Sequence, residues 1–359
     1  MKKVLIETHH LYYWPNFLPV VQEMLKRGTY DIYVSMPVRS SLTQENILSN
    51  ACESAKISFL SAETEDKRIK KLNDESFDVI IVGNVGQLNK ISSSRALVVM
   101  VYHGIGLKQS YYTDIDPRVD IRSVESVARF NELKSHGHDN IVLTGYTKLD
   151  RLVNFSNPEI KLTNQKLELD PDKKSILYAP SFYPTSIDKL HPYLLELSQD
   201  HNIIIKLHGF GWEQKKYQYQ NSLCSELSKK SNSIHLLQNE DYDIIPYYLC
   251  ADMLISDISS TLFEYLPMDK PIIQAQCYNL KFKHRIFKKR FWKKMDIDRQ
   301  DNVDFAYQIV EADDILGMVY YAMDNHDEMS TKRKEATEHY LYKVDGNASS
   351  RLIDAIEAY

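Results

Sequence analysis

Short apolar runs that stop abruptly at glycine, proline or a polar residue alternate along this chain with stretches of helical periodicity. Ala96-Leu97-Val98-Val99-Met100-Val101 is the plainest of them. Six apolar residues without a polar partner read as a strand buried on both faces, and such strands belong to parallel sheets covered by helices on each side. Val4-Leu5-Ile6, Asp31 to Met36, Phe77 to Gly83, Val119 to Val124 and Ile141 to Gly145 carry the same signal, with a helix from Phe17 to Arg27 closed by Gly28. The rhythm restarts at Ser175 to Pro180 and continues through Asn202 to Leu207, Ile234 to Leu237, Asp252 to Asp257 and Pro271 to Gln274. From Asp304 onward the tail reads as helical. This β-α-β alternation specifies an α/β fold with doubly wound parallel sheets.

A chain of 359 residues is too long for one ordinary core, and two similar halves are visible in it. The expected division is a first domain over 1–153, a polar linker over 154–173, a second domain over 174–345 and a closing helix over 346–359. Two Rossmann-like domains facing a cleft, the glycosyltransferase-B plan, fit this order, although fold alone does not fix function.

The formal net charge of −5 argues against a general nucleic-acid binder, which needs a basic field against the phosphate backbone. Cys52, Cys224, Cys250 and Cys277 are scattered without ligand spacing and read as reduced thiols. The apolar run after Lys2 and Lys3 ends within three residues, too short for a signal sequence, and no later stretch reaches membrane-spanning length. A cytoplasmic location is expected.

Two strands end in His-Gly: the first at His103-Gly104 and the second, in the other half, at His208-Gly209. In open α/β sheets ligands bind beyond the carboxyl ends of the strands, and histidine titrates where proton transfer near neutrality needs it. A loop histidine satisfied by local hydrogen bonds is the ordinary alternative. Ser256-Asp257-Ile258-Ser259-Ser260-Thr261-Leu262-Phe263-Glu264 reads as strand, turn and helix. Ser259 or Ser260 would cap the helix, whose free N–H groups suit a phosphate, and Glu264 could accept from ribose hydroxyls. A capped helix with nothing bound is again the plain alternative. Thr144-Gly145-Tyr146-Thr147-Lys148-Leu149-Asp150 also follows a strand, with a cation and a carboxylate, but as a lone signal it is weak and closure of the first domain would explain it.

Between Lys281 and Lys294 eight cations interleave with Phe282, Phe287, Phe291 and Trp292. A solvated basic helix is one reading; a surface for a polyanionic acceptor or an anionic membrane leaflet is the other. Leu280, Phe287, Phe291 and Met295 would share a helical face, with Phe282 and Trp292 off it. Asp114-Ile-Asp116, Asp241-Tyr-Asp243 and Asp296-Ile-Asp298 match an Asp-x-Asp metal pattern, but 49 acidic residues produce such matches by chance. No metal is assigned to them, and no definite cofactor is expected, with a divalent cation left open.

In order and spacing these elements resemble the CDP-glycerol glycerophosphotransferase family, the teichoic-acid primases and polymerases, from about residue 98 to the end. His103-Gly104-Ile105-Gly106-Leu107-Lys108 is similar to the family's His-Gly-Thr-Pro-Leu-Lys, and Gly145 to Asp150 to its Gly-Tyr-Pro-Arg-x-Asp. Tyr178-Ala179-Pro180-Ser181 resembles its Tyr-Ala-Pro-Thr, and Lys206-Leu207-His208 its Lys-x-His-Pro. Asp257 to Glu264 resembles Asp-Tyr-Ser-Ser-x-x-x-Asp, followed by Asp269-Lys270-Pro271-Ile272. Gly346-Asn347-Ala348-Ser349-Ser350-Arg351 resembles the closing Gly-x-Ala-Ser-x-Arg. Gly106, Thr147 and Gly209 stand where the family has proline, Ile258 where it has tyrosine, and Glu264 where it has aspartate.

The resemblance implies transfer of glycerol phosphate or ribitol phosphate from a CDP-activated donor to a hydroxyl of a cell-surface glycan or lipid-linked precursor, with release of CMP. It casts His103 as general base and His208 against the donor diphosphate. Gly104, Lys108, Lys148, Ser259, Ser260 and Thr261 would bind substrate phosphates, and Glu264 the ribose. Peripheral contact with the inner face of an anionic membrane would run through Lys281 to Lys294. Transfer from a nucleotide sugar, or a non-catalytic nucleotide-binding role in surface-polymer assembly, are the alternatives. The nucleotide released separates them.

Overall fold

The computed structural model describes residues 1–38, 42–86, 88–91, 95–105, 116–294 and 303–359, with backbone alone at 290, 293 and 294. Lys108 therefore lies outside the described residues, as do Gly106, Met295 and the pair Asp296 and Asp298. The chain forms two compact units. One gathers the described residues of Met1–Gly104, Ser110–Asn154 and His339–Tyr359; the other takes Phe155–Glu338 together with Ile105.

Among the described residues the first unit is built on seven strands: β1 (Lys2–Glu7), β2 (Tyr30–Ser35), β3 (Ser58–Leu60), β4 (Val79–Val82), β5 (Leu97–Val101), β6 (Ile121–Val124) and β7 (Ile141–Leu143). All pair in parallel, in the order β3-β2-β1-β4-β5-β6-β7. The second unit holds β8 (Lys174–Ala179), β9 (His201–Ile205), β10 (Ile234–Leu236), β11 (Met253–Ser256), β12 (Ile272–Ala275) and β13 (Tyr307–Ile309). These too are parallel, ordered β10-β9-β8-β11-β12-β13. The all-apolar strands expected from the sequence are the central ones, with Val98, Val99, Ile203, Ile204 and Leu254 fully buried. Strand order reverses between β1 and β4 in the first sheet and between β8 and β11 in the second, the points where open α/β sheets take ligands.

The helix Trp14–Arg27 follows β1. It carries proline at its first turn, Lys26 and Arg27 at its last, and Gly28 beyond it at φ +69°, each where helix termini favour it. Its face of Trp14, Phe17, Val21 and Met24 is buried, and the C-terminal helix Ala348–Ala358 packs against it. Arg27 reaches that helix through Asp354 and Glu357.

Three elements differ from the sequence reading. Residues 154–173, expected as a linker, contain the helix Asn157–Lys166 within the second unit. It opens on a capping contact, Ser156 N–H to Glu159 Oε2 at 2.8 Å, and lies against the helix Ile245–Cys250. None of its residues is buried, so no apolar stripe announced it. The tail from Asp304 is not wholly helical: Tyr307–Ile309 adds the edge strand β13, three residues too short for a period to show. The edge strand β3 is equally short.

The Gly145 to Asp150 and Gly346 to Arg351 motifs prove to be two halves of one fastening. Asp150 is buried and accepts from the backbone N–H groups of Ala348 (2.8 Å) and Ser349 (2.7 Å), capping the C-terminal helix from outside it. Arg351 Nε donates to the Thr144 carbonyl at 2.6 Å. Gly145, at φ +93°, passes so close to this segment that a Cβ would stand 2.6 Å from the Tyr342 carbonyl oxygen. Asp150→Ala leaves two buried N–H groups without acceptors, at about 1–3 kcal/mol each. The first unit should lose roughly 2–6 kcal/mol of stability in denaturant titration, with hydrogen exchange accelerated at Ala348 and Ser349 and Asp150→Asn falling between.

Candidate active site

His103 stands two residues beyond β5, beside the reversal point of the first sheet. It is half-buried. Its Nδ1 lies 2.9 Å from the carbonyl oxygen of Gly83, the residue after β4. A carbonyl oxygen only accepts, so Nδ1 carries hydrogen and, in the neutral ring, Nε2 carries the lone pair. The ring stacks on Tyr13 with centroids 3.9 Å apart and planes at 14°, and Tyr12 meets it edge-on at 6.1 Å. Gly104 follows in a buried position. The sequence reading passed over Tyr12 and Tyr13, and over His9 and His10 just before them. The signal was there: β1 also ends in histidines, immediately at the switch point.

In the second unit His208 follows β9 by two residues. Here the backbone partner is a donor: the Phe210 N–H points at Nδ1 from 3.1 Å. Nδ1 is therefore the acceptor, and the neutral ring carries its hydrogen on Nε2. Phe182 and Phe210 enclose the imidazole at centroid distances of 4.8 and 4.9 Å. Phe182 belongs to a loop pinned from the neighbouring strand end. Asp257, fully buried after β11, accepts from Ser181 N–H (2.6 Å), Ser186 N–H (2.9 Å) and the Ser186 hydroxyl (3.0 Å). Burial pushes its carboxyl up to about 6 against these donors.

The hydroxyl run after Asp257 leads into a helical turn, Thr261–Glu264, with Ser260 at its N-cap position, continued by the 3-10 turn Leu266–Met268. Its hydroxyls are knitted into the protein. Ser259 Oγ accepts from Thr261 N–H (3.3 Å). Ser260 Oγ accepts from Ile105 N–H (3.1 Å) and donates to the Ile105 carbonyl (3.2 Å). Thr261 donates to Ser256 Oγ (2.8 Å), whose own hydrogen goes to the Ala179 carbonyl (2.6 Å). Glu264 is buried and takes the Tyr248 hydroxyl on Oε2 at 2.9 Å. Lys148 sits half-buried in the 3-10 turn Thr147–Leu149, within the Asp150 fastening of the first unit.

The basic-aromatic stretch forms two short helices, Phe282–Ile286 and Lys288–Lys294, parted at Phe287. The break overturns the expected apolar face: Phe291 is buried, whereas Phe287 is exposed with Phe282 and Ile286. Phe282 is the extreme, at 78%. His284 stacks on Phe291 at 4.4 Å and hydrogen-bonds Tyr183 at 2.5 Å, while the Lys281 ammonium lies over the Tyr183 and Tyr217 rings at 4.8 and 5.4 Å. Tyr183 adjoins Phe182 in the loop held by Asp257.

Among the described residues no group of three or more His, Cys, Asp or Glu is placed to hold a metal ion. Asp241 instead accepts from Lys166 and Tyr247, and Asp243 from the Ile245 N–H. An open depression of about 630 Å³ bordered by Gly28, Asp78 and Leu97 lies at the amino ends of the first sheet, the edge opposite His103.

Residues 122–358 match the family described as CDP-Glycerol:Poly(glycerophosphate) glycerophosphotransferase. A teichoic acid poly(glycerol phosphate) polymerase of Staphylococcus epidermidis is 27% identical over 187 residues, 51% of this chain and 23% of that protein. A teichoic acid poly(ribitol-phosphate) polymerase of Bacillus spizizenii is 24% identical over 234 residues, 61% of this chain and 33% of that protein. The matches thus span about a quarter to a third of these relatives' lengths. Among solved structures, the wall teichoic acid polymerase TagF soaked with CDPG superposes with a TM-score of 0.73 at 17% identity, covering 99% of this chain and 88% of that one. MnaA of S. aureus with UDP gives 0.64 at 16%, covering 100% and 97%. These likenesses establish the fold: two parallel-sheet α/β domains of the glycosyltransferase-B type.

The Asp257 carboxyl supplies a test of the second unit's switch point. Its folded value, about 6, stands above the ordinary 3.8, so the folded state holds the proton more tightly than the unfolded chain. The stabilisation is complete below the unfolded value and is lost as pH rises through about 6. Asp257→Asn is neutral throughout. Unfolding free energies of wild type relative to Asp257→Asn should therefore fall between about pH 4 and pH 6.5 and level off above it; a flat difference would remove the assignment.

Proposed function

The chain belongs to the CDP-glycerol:poly(glycerophosphate) glycerophosphotransferase family, and from that premise we propose that it transfers glycerol phosphate or ribitol phosphate from a CDP-activated donor to a hydroxyl of a cell-surface glycan or lipid-linked precursor. The observation that carries the chemistry is the opposite polarity of the two histidines' backbone partners. His103, with Nδ1–H given to Gly83, presents a lone pair on Nε2 and suits a general base. His208, with Nδ1 occupied by the Phe210 N–H, presents Nε2–H and suits a donor to phosphate oxygen.

In the proposed step the acceptor hydroxyl passes its proton to His103 Nε2 as its oxygen attacks the phosphorus that bears the polyol. The bond from that phosphorus to the bridging oxygen of the diphosphate breaks, and the electron pair leaves with CMP. His208 donates to the phosphate oxygens as charge builds on them. The Ser259–Thr261 turn and Gly104 bind substrate phosphates, Lys108 and Lys148 add positive charge, and Glu264, oriented by Tyr248, takes the ribose. Phosphoryl transfer depends mainly on positioning and charge neutralisation, so none of these roles requires a covalent intermediate. The polymerase relatives, of poly(glycerol phosphate) and poly(ribitol-phosphate), support this donor class.

The proposed place of work is the cytoplasmic face of the cell membrane, with the chain bound peripherally. No helix among the described residues is long and apolar enough to cross a membrane. Phe282, Ile286 and Phe287 project beside the cations Lys283, Arg285, Lys288 and Lys289, an apolar edge within a basic field that suits an anionic leaflet.

Incubation with a panel of CDP-polyols and a polyol-phosphate acceptor should release CMP. His103→Ala should lower the rate by roughly 10²–10⁴-fold, the usual worth of a positioned base, with the circular dichroism spectrum unchanged. Release of a nucleoside diphosphate from a nucleotide sugar instead would overturn the reading. Separately, Phe282→Ser combined with Phe287→Ser should cut co-flotation with anionic vesicles by 10-fold or more, the loss of two buried aromatic anchors at roughly 1.5–3 kcal/mol each. Binding that persists in the double variant would place membrane contact elsewhere.

A further inference from the structure

We infer that Tyr13 and Gly83 are positioning residues for His103, together fixing the tautomer and the plane of its imidazole. The catalytic consequence rests on the transfer proposed above; the geometry does not. Tyr13 closes the 3-10 turn Leu11–Tyr13 that links β1 to the helix Trp14–Arg27, and the next residue, Trp14, is fully buried. The tyrosine is thus anchored by the first turn of a core helix, and the residue as a whole is 3% exposed. Gly83 follows β4, the strand paired with β1 across the switch point.

Three contacts tie the group together. The Gly83 carbonyl accepts His103 Nδ1–H at 2.9 Å. The Tyr13 ring lies nearly parallel to the imidazole, 3.9 Å away. The Tyr13 hydroxyl accepts from Asn84 Nδ2 at 3.0 Å, which ties the far end of the ring to the residue after Gly83. Gly83 is also the only residue type that fits there. A Cβ at position 83 would stand 2.6 Å from Tyr13 Cδ2 and 3.2 Å from Phe17 Cζ. Any side chain would push the tyrosine from the imidazole it supports. The same residue therefore accepts the hydrogen that sets the tautomer and leaves the space that sets the ring plane.

A half-buried histidine beyond a strand end otherwise samples both tautomers and rotates about χ2, and each departure turns the Nε2 lone pair from its target. Misplacement of a reacting group by about 1 Å costs on the order of 10²-fold in rate. Tyr13 and Gly83 remove that freedom without touching substrate, so they act through His103.

The test uses the full chain with ¹⁵N-labelled histidine, His103 being assigned by its loss in His103→Gln. Wild type should show the Nδ1–H tautomer at a pH where the ring is neutral; an Nε2–H tautomer would overturn the inference whatever the variants do. Tyr13→Leu and Gly83→Ala should give mixed tautomers and lower kcat roughly 10- to 100-fold, with KM for CDP-glycerol within about twofold. Tyr13→Phe, which keeps the stack, should retain the tautomer and stay within about threefold in kcat. If Tyr13→Leu lowers the melting temperature and donor binding while the tautomer stays fixed, the tyrosine is structural only and the inference fails. If wild type turns over no CDP-polyol, the proposed transfer fails, while the tautomer comparison still decides the positioning.

Discussion

In an all-parallel sheet every strand must be followed by a crossover before the next can begin, so all carboxyl ends emerge on one edge. The central strands here are apolar on both faces and offer no place for chemistry along their length. Polar and titratable groups are therefore driven to the turns at that edge. His9, His10, Gly83, Asn84 and His103 collect there in the first unit, and Phe182, His208, Asp257 and the hydroxyl turn in the second. Strand order then selects among these turns. Where neighbouring crossovers depart in opposite directions, the loops after β1 and β4, and after β8 and β11, part from one another. Gly83 and Asp257 follow the strands at those two points.

The same physics gives two histidines different chemistry. Imidazole has one donor and one acceptor nitrogen when neutral, and its partner decides which is which. Gly83 offers oxygen and Phe210 offers N–H, so the outward nitrogen is an acceptor in one domain and a donor in the other. Neither partner is a side chain. The assignment is written in the course of the backbone.

Much of this was legible in the chain. Strand-end histidines follow from an apolar run and the residue after it, which is local information, and His103 and His208 were found that way. What joins positions distant in sequence was not legible. The Asp150 cap spans 198 residues to Ala348, and the Asp257 contact 76 residues back to Ser181. In the sequence both carboxylates look like functional-motif members; in the fold both spend their oxygens on backbone N–H groups. Tyr13 was missed for a related reason. An aromatic at the start of a helix reads as core, and only the approach of β4 and β5 reveals what its ring supports. The exposed Phe287 follows from a break between two short helices that a single periodic pattern hides.

The prolines that this chain lacks, relative to the family it belongs to, sharpen the distinction between backbone course and chemistry. Gly209 has φ −48° and ψ −33°, close to the φ that a proline ring would enforce. Replacing proline there costs about 0.4–1 kcal/mol of unfolded-state restriction, yet the Phe210 N–H still reaches His208. Thr147 opens a 3-10 turn, where the first position tolerates proline, and uses its freedom differently. Its hydroxyl donates to the Asn16 carbonyl at 2.7 Å, tying the Asp150 fastening to the helix that carries Trp14 and so to the turn that ends in Tyr13. A residue that proline would have stiffened from within is here held from outside.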